Sequence, residues 1–151
     1  MGYLVDENST VSVDIFIDTR TNKVLSNEEI LKFGDKIPDY VKKETSIWRK
    51  ESWGIGSKID SESIVTDVKT GKKEVDLMRL TYARIKYLLK EWTLSKTEPS
   101  LVLNTYDVEL GIKALKPDVM TNIMKVDKQI INMIHMGIIE KIYGGTEETK
   151  N

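Results

Sequence analysis

Residues 75–92, VDLMRLTYARIKYLLKEW, have both the apolar spacing and the residue types of a helix, more clearly than any other stretch of the chain. At 100° per residue, the larger apolar side chains fall on one side of a helix, whereas Arg79, Lys86 and Lys90 fall on the other. The stretch contains no Gly or Pro and consists mostly of good helix formers. The pattern therefore predicts a long central amphipathic helix, with a main face of Leu77, Met78, Tyr82, Ile85, Leu88, Leu89 and Trp92.

A second, weaker apolar strip on this predicted helix consists of Leu80, Ala83 and Tyr87. Two interpretations are open. The helix is either a core helix with some exposed apolar atoms, which are common on protein surfaces, or it contacts the core on one side and a partner on the other. The second hypothesis places Leu80, Ala83, Tyr87 and Trp92 in a partner-binding surface.

The N-terminal part has the pattern of strands. Residues 11–17, VSVDIFI, alternate Val or Ile with other residues, which predicts a half-buried strand. Residues 18–23 favour a turn, after which Val24 and Leu25 can return as a short second strand. Ser26 and Glu29 have the spacing of a capping box, which predicts a short helix that Gly34 ends.

Two of the three tryptophans, Trp48 and Trp53, lie close to basic residues in the segment TSIWRKESWGIG. Such aromatic rings can stack on bases or ligand rings, but their large apolar area favours core packing or a protein interface. We therefore add both to the predicted partner-binding residues. Residues 55–65 are expected to form a brief helix or turn-rich segment, and residues 66–73 to form a hairpin tip or loop.

Proline and glycine residues divide the C-terminal half into separate predicted elements. Residues 95–100 form a polar connector that Pro99 is expected to keep from being helical, and Asn104 or Thr105 is predicted to cap a short helix ending near residue 115. Pro117 suits the first turn of a last helix, which Gly137 is placed to end. The spacing of its apolar residues predicts one buried face, formed by Met120, Ile123, Met124, Ile131, Ile134 and Ile138.

These elements predict an α+β fold that is mainly helical: an N-terminal strand or hairpin followed by four or five helices, including the long central one. We expect one globular domain over residues 1–143, β-rich over about 1–44 and helical over about 45–143. Residues 144–151 are expected to be a disordered tail.

Charge and composition bear on the partners, the chemistry and the cellular location expected for this chain. Lys and Arg total 23 against 24 Asp and Glu, so the net charge gives no reason to expect nucleic acid or anionic lipid as a partner. The chain contains no Cys, which fits a reducing cytoplasm and excludes thiolate chemistry. No signal peptide or membrane span is expected, because no window approaches about 18 apolar residues.

The sequence contains no arrangement of reactive groups that matches a common catalytic or metal-binding pattern. His135 is the only histidine, so a cage of several histidines around a metal cannot form, and we expect no Ser-His-Asp triad. The segment WGIGSK matches neither common phosphate-binding glycine pattern. We therefore expect no enzymatic activity, no cofactor and no metal site.

A DNA-binding alternative rests on residues 128–144, KQIINMIHMGIIEKIYG. They can be read as a helix, a Gly turn and a strand at the end of a winged helix, with Lys125, Lys128 and Lys141 facing DNA. The net charge of −1 argues against it, because proteins that contact several phosphates normally carry a basic surplus.

Two blocks of sequence carry a family resemblance. Residues 48–63, WRKESWGIGSKIDSES, resemble the aromatic and basic stretch before the helical region of tail assembly chaperones and related tail-module proteins of tailed bacteriophages. Residues 79–94, RLTYARIKYLLKEWTL, followed by LNTYDVELGIKAL and KPDVMTNIMKVDKQI, are similar to their helix ending in Trp, short capped helix and final helix opening at Pro. The resemblance covers roughly residues 45–135.

This resemblance implies a non-enzymatic protein of the host cytoplasm that binds and solubilises a hydrophobic helical partner, such as the tape-measure protein, and recruits tail-tube subunits. The six methionines suit such a partner, and equally a homo-oligomer, because thioethers adapt to irregular surfaces. The segment before Thr45 is longer and more strand-like than the resemblance accounts for. That difference favours an alternative, a structural tail or connector subunit of the virion.

Overall fold

The computed structural model describes residues 3–144. The elements follow in the order β1 (Thr10–Asp18), β2 (Lys23–Val24), α1 (Asn27–Lys32), β3 (Val41–Arg49), α2 (Trp53–Ser63), β4 (Ile64–Thr66), β5 (Lys73–Val75), α3 (Leu77–Leu88), β6 (Leu89–Trp92), α4 (Leu94–Thr97), a 3₁₀ helix (Pro99–Leu101), β7 (Thr105–Glu109), β8 (Ile112–Leu115), α5 (Pro117–Ile123) and α6 (Lys128–Tyr143).

The protein is α+β, but the expectation of a mainly helical chain is wrong. Of residues 3–144, 42% are helical and 27% lie in strands. Strands also occur well beyond the N-terminal part, because β4–β5 and β7–β8 form two separate hairpins. The predicted helical region over about 45–143 is therefore mixed.

A four-stranded antiparallel sheet in the order β2-β1-β3-β6 organises the fold. The predicted alternation of β1 is confirmed: Val13 and Ile15 are buried, whereas Ser12 and Asp14 are exposed. The Ser26 capping box at the start of α1 is also confirmed. Strand β3 was not predicted, because its inward-facing residues before Trp48 include polar ones.

The central helix is shorter than predicted. It begins after Asp76, whose carboxylate accepts the Arg79 backbone N–H at 2.9 Å, and it ends at Leu88. Residues 89–92, expected to be its last turn, form β6 and pair with β3, with Trp92 opposite Ser46. Here pairing with the sheet overrides local helix propensity.

Two expectations for residues 95–115 are wrong. Helix α4 and the 3₁₀ helix occupy most of the predicted non-helical connector, with Pro99 at the start of the 3₁₀ helix. The predicted helix after Asn104 is instead the β7–β8 hairpin. Leu110 and Gly111 form its turn with φ of 53° and 75°, the left-handed conformation that type I′ turns require.

The predicted last helix is two helices. Pro117 does begin α5, but that helix ends at Ile123, and the Asp127 side chain caps a new helix, α6. Gly137 lies inside α6, which ends only at Gly144 in the left-handed conformation. Within the described chain no strand follows α6. The strand that the winged-helix interpretation requires at the end of residues 128–144 is therefore not formed. Residues 145–151 of the predicted tail lie outside the described range.

The core is one cluster in which buried side chains of the sheet, α3 and α6 pack together, with α6 lying against β1. Trp48, Leu88 and Ile138 are fully buried there. Gly137 allows the close approach of α6 to β1, because a Cβ at this position would lie 2.4 Å from Val13 Cγ1. None of the helices within residues 3–144 is long and apolar enough to cross a membrane.

We predict that Gly137→Ala destabilises the protein by about 1–3 kcal/mol, because the added methyl group overlaps the stiff Val13 side chain. Gly54→Ala in α2 is the matched control, since its Cβ would meet Ile112 Cδ1 at an ordinary 3.7 Å. That change should be neutral or stabilising by up to about 1 kcal/mol, as expected for Gly to Ala in a helix. Chemical denaturation measures both; equal effects would contradict the tight contact.

Leu110→Asn is predicted to stabilise the protein by about 0.5–1 kcal/mol, because Asn tolerates the left-handed backbone better than Leu. Little packing is lost, since Leu110 is 92% exposed. Leu31→Asn is the control: Leu31 is also exposed, but it lies within α1, so the change should slightly destabilise. Thermal unfolding of the two variants distinguishes a gain specific to the turn from a general effect of removing a surface Leu.

Candidate interaction groove

An open groove runs between α3, α5 and the first turns of α6. It consists of two adjoining cavities of about 580 and 480 Å³, both lined by Met78, Tyr82 and Met124. Ile64 extends the first cavity, and Ile131 lines the second. We call this feature the methionine groove.

Two helix ends place apolar side chains at the groove. Leu77 and Met78 occupy the first turn of α3 and are 70% and 68% exposed. Met124 is the C-cap of α5 and is 55% exposed. Because soluble proteins rarely leave large apolar side chains clustered in solvent, such a patch is typical of an interaction surface.

The carboxylate of Glu62 at the groove is fully engaged. Lys86 Nζ donates to it at 2.8 Å, and the Tyr87 hydroxyl donates to its other oxygen. Burial and this contact with Glu62 raise the pKa of Tyr87 to about 12. Burial alone would lower the pKa of Lys86, but the hydrogen bond and charge of Glu62 outweigh it and raise that pKa. Tyr87 is thus protonated and Lys86 charged at neutral pH, and their contacts with Glu62 link α3 to α2.

The groove also carries positive charge. Arg79 lines the first cavity and Lys128 the second. Among residues 3–144 neither side chain forms an ion pair. Asp76 at the same groove uses its carboxylate to cap α3, and Glu62 is neutralised by Lys86. Two cations are therefore available to an occupant with acidic groups.

The single histidine belongs to a buried polar cluster outside the groove. Arg84 is 1% exposed, and its Nη1 lies 2.9 Å from His135 Nε2. Since arginine only donates, His135 accepts and carries its proton on Nδ1. The Arg84 guanidinium also lies 4.3 Å from the Tyr143 ring centroid, and the Tyr143 hydroxyl donates to Glu51. These contacts join α3 to α6. Within residues 3–144 no group of acids or histidines could hold a metal ion.

The six residues predicted to bind a partner lie in different environments. Leu80 is half-buried and packs against the core, whereas Trp53 at the start of α2 is 91% exposed. Their role in partner binding stays a prediction, and only Trp53 offers a largely exposed side chain for it. The other four are buried core residues, namely Trp48, Ala83, Tyr87 and Trp92.

Both buried tryptophans are fixed by hydrogen bonds. Trp48 Nε1 donates to Ser46 Oγ at 2.7 Å, and Trp92 Nε1 donates to the Leu101 carbonyl at 2.9 Å. A buried indole normally finds such a partner, which makes these two rings parts of the core. Neither ring is exposed to stack on a base or a ligand.

The groove was not predicted, because the apolar pattern of the sequence assigns the groove residues to buried helix faces. Met78 was expected on the core side of the central helix and Met124 on that of the last helix. Both lie at helix ends, where the core no longer covers them. The early end of α5 leaves Met124 exposed, and the Asp127 cap of the next helix is the local signal that could have revealed it.

Comparisons with known proteins give no identification. No family model matches this chain, and no curated protein and no solved structure matches it.

Proposed function

We propose that this protein is a non-catalytic interaction protein that binds an amphipathic helix of a partner in the methionine groove. The observation that carries the proposal is the exposure of Leu77, Met78 and Met124 along one open apolar groove. Burying them against a partner is favourable by about 25 cal/mol per Å² of apolar surface removed from water.

A helix is the occupant that this groove favours. Its apolar wall is formed by side chains on helices, including Tyr82, Met120 and Ile131. Helices have used their backbone hydrogen bonds internally, so such a wall cannot pair with an extended peptide. The occupant must therefore satisfy its own backbone groups, as a helix does.

The chemistry of the groove also indicates the character of the helix. Methionine side chains adapt to irregular surfaces, so Met78 and Met124 can accept Leu, Ile or Met anchors. Arg79 and Lys128 favour acidic residues beside those anchors. The partner segment that fits best is thus an acidic amphipathic helix with apolar residues at helical spacing.

A narrower form of the proposal names the partner as the tape-measure protein of a bacteriophage tail. Its support is the sequence resemblance of residues 48–63 and 79–94 together with a groove suited to a hydrophobic helix. The predicted helices supply less support for this partner. Trp92 lies in a strand, and residues 105–115, which belong to the same resemblance, form a hairpin.

We predict that wild-type protein binds a fluorescein-labelled peptide of about 20 residues, with Leu at helical spacing and Glu beside it, better than a scrambled peptide. The variant Met78→Gln/Met124→Gln should bind at least about tenfold more weakly, because each change removes apolar contact area. Met136→Gln is the matched control, since Met136 is exposed but does not line either cavity. Fluorescence anisotropy measures the affinities. Undiminished binding by the double variant would exclude the groove.

For the narrower form, co-expression with a phage tape-measure protein should keep that protein soluble and co-purify it, and the groove double variant should fail to do so. An insoluble tape-measure protein despite well-folded wild-type protein would overturn the tail-chaperone assignment. Mass spectrometry of purified particles tests the virion-subunit alternative, because a chaperone is absent from particles and a structural subunit is present.

A further inference from the structure

The outer edge of β1 lacks a neighbouring strand over most of its length. Strand β2 pairs only with Ile17 and Asp18, so the edge over residues 10–15 faces no other strand within the described chain. An open edge presents unpaired backbone groups, which makes it a template for adding another strand.

The hydrogen bonds of residues 9–16 show which backbone groups of this edge face outward. The carbonyls of Ser9 and Val13 accept from Lys50 N and Ser46 Oγ of the β3 side. The carbonyl of Phe16 instead accepts from Leu25 N, beside β2. Because successive residues of a strand point their backbone groups to opposite sides, Thr10, Ser12 and Asp14 present theirs on the open edge.

We infer that this edge pairs with the same edge of a second copy of the chain, forming one continuous antiparallel sheet across a twofold axis. Strand β2 occupies the edge from Phe16 onward, so residues 10–14 are available on each copy. The register that fills this stretch on both copies places Ser12 opposite Ser12 and Thr10 opposite Asp14. Three facing pairs that each exchange two bonds give about six N–H···O bonds.

The side chains favour this register over its neighbour. Centring the pair on Asp14 would place two carboxylates directly opposite each other, which is destabilising. Centring it on Ser12 places each Asp14 opposite a Thr. A second copy is thus a chemically suitable occupant, because the same short stretch supplies both halves of the pairing.

Helix α6 supports a second copy at this edge. Gly137 touches Val13, and Lys141 Nζ lies 2.5 Å from the outward carbonyl of Ser12, so this end of α6 lies beside the open edge. Lys141 is exposed and must move aside on pairing. The adjacent Met136 is 62% exposed and Glu140 is also exposed. A second copy would cover Met136 and bring Glu140 toward Lys141 of the other chain.

The natural absence of Cys allows a direct test. Ser12→Cys should form a disulfide-linked dimer under mild oxidation, because facing residues of a hydrogen-bonded pair have Cα atoms about 5.5 Å apart. Asp14→Cys, at an equally exposed position of the same strand, should form no disulfide cross-link, since the two Cα atoms would be on the order of 14 Å apart in the dimer. Equal cross-linking of the two variants, or none at Ser12→Cys, would overturn the inference.

A second experiment removes only the outward N–H of residue 12, through the change Ser12→Pro. Analytical ultracentrifugation should show a dimer for wild-type protein and for Ser12→Ala, and a shift of Ser12→Pro toward monomer. Proline is tolerated where the N–H of an edge strand faces solvent, so β1–β3 pairing should survive. A wild-type protein that stays monomeric throughout the concentration range overturns the inference. If Ser12→Pro does not fold, the cysteine variants still decide.

Discussion

The close approach of α6 to β1 at Gly137 and Val13 is the contact on which the rest of the structure depends. It joins the first strand to the last helix of residues 3–144, and there is no room at residue 137 for a Cβ. With α6 held there, Trp48 and Ile138 are completely buried between the helix and the sheet. The same placement brings the first turns of α6 beside α3 and α5, which creates the groove.

Buried polar contacts fix the orientation of α3 within this arrangement. Arg84 on α3 contacts His135 of α6, and Tyr87 donates to Glu62 of α2. Breaking buried contacts of this kind leaves a polar group without its partner at substantial cost, so α3 has one preferred rotation about its axis. That rotation turns Met78, and Tyr82 and Ile85 one and two turns later, toward the groove. Arg84 and Tyr87 thus hold α3 against α6 and α2.

Local patterns were enough to predict some elements and not others. The alternation of β1 and the Ser26 capping box depend on residues near in sequence, and both expectations are confirmed. Strand β3 was missed because its inward-facing residues include Glu44 and Ser46, which are polar. Residues 89–92 have good helix propensity, yet pairing with β3 makes them a strand. The groove arises where distant helix ends meet, and no single stretch encodes that meeting.

The two proposed surfaces lie on different flanks of α6. Ile131 lines the methionine groove, whereas Gly137 and Lys141 face β1. On an α-helix, Ile131 is about 120° from Gly137. A second copy at the β1 edge would therefore leave both grooves open. Such a dimer presents two grooves to one long helical partner, and bivalent binding can raise its overall affinity by about 10²–10⁴ without any new contact. Weak single-groove binding would then suffice to hold an extended hydrophobic protein.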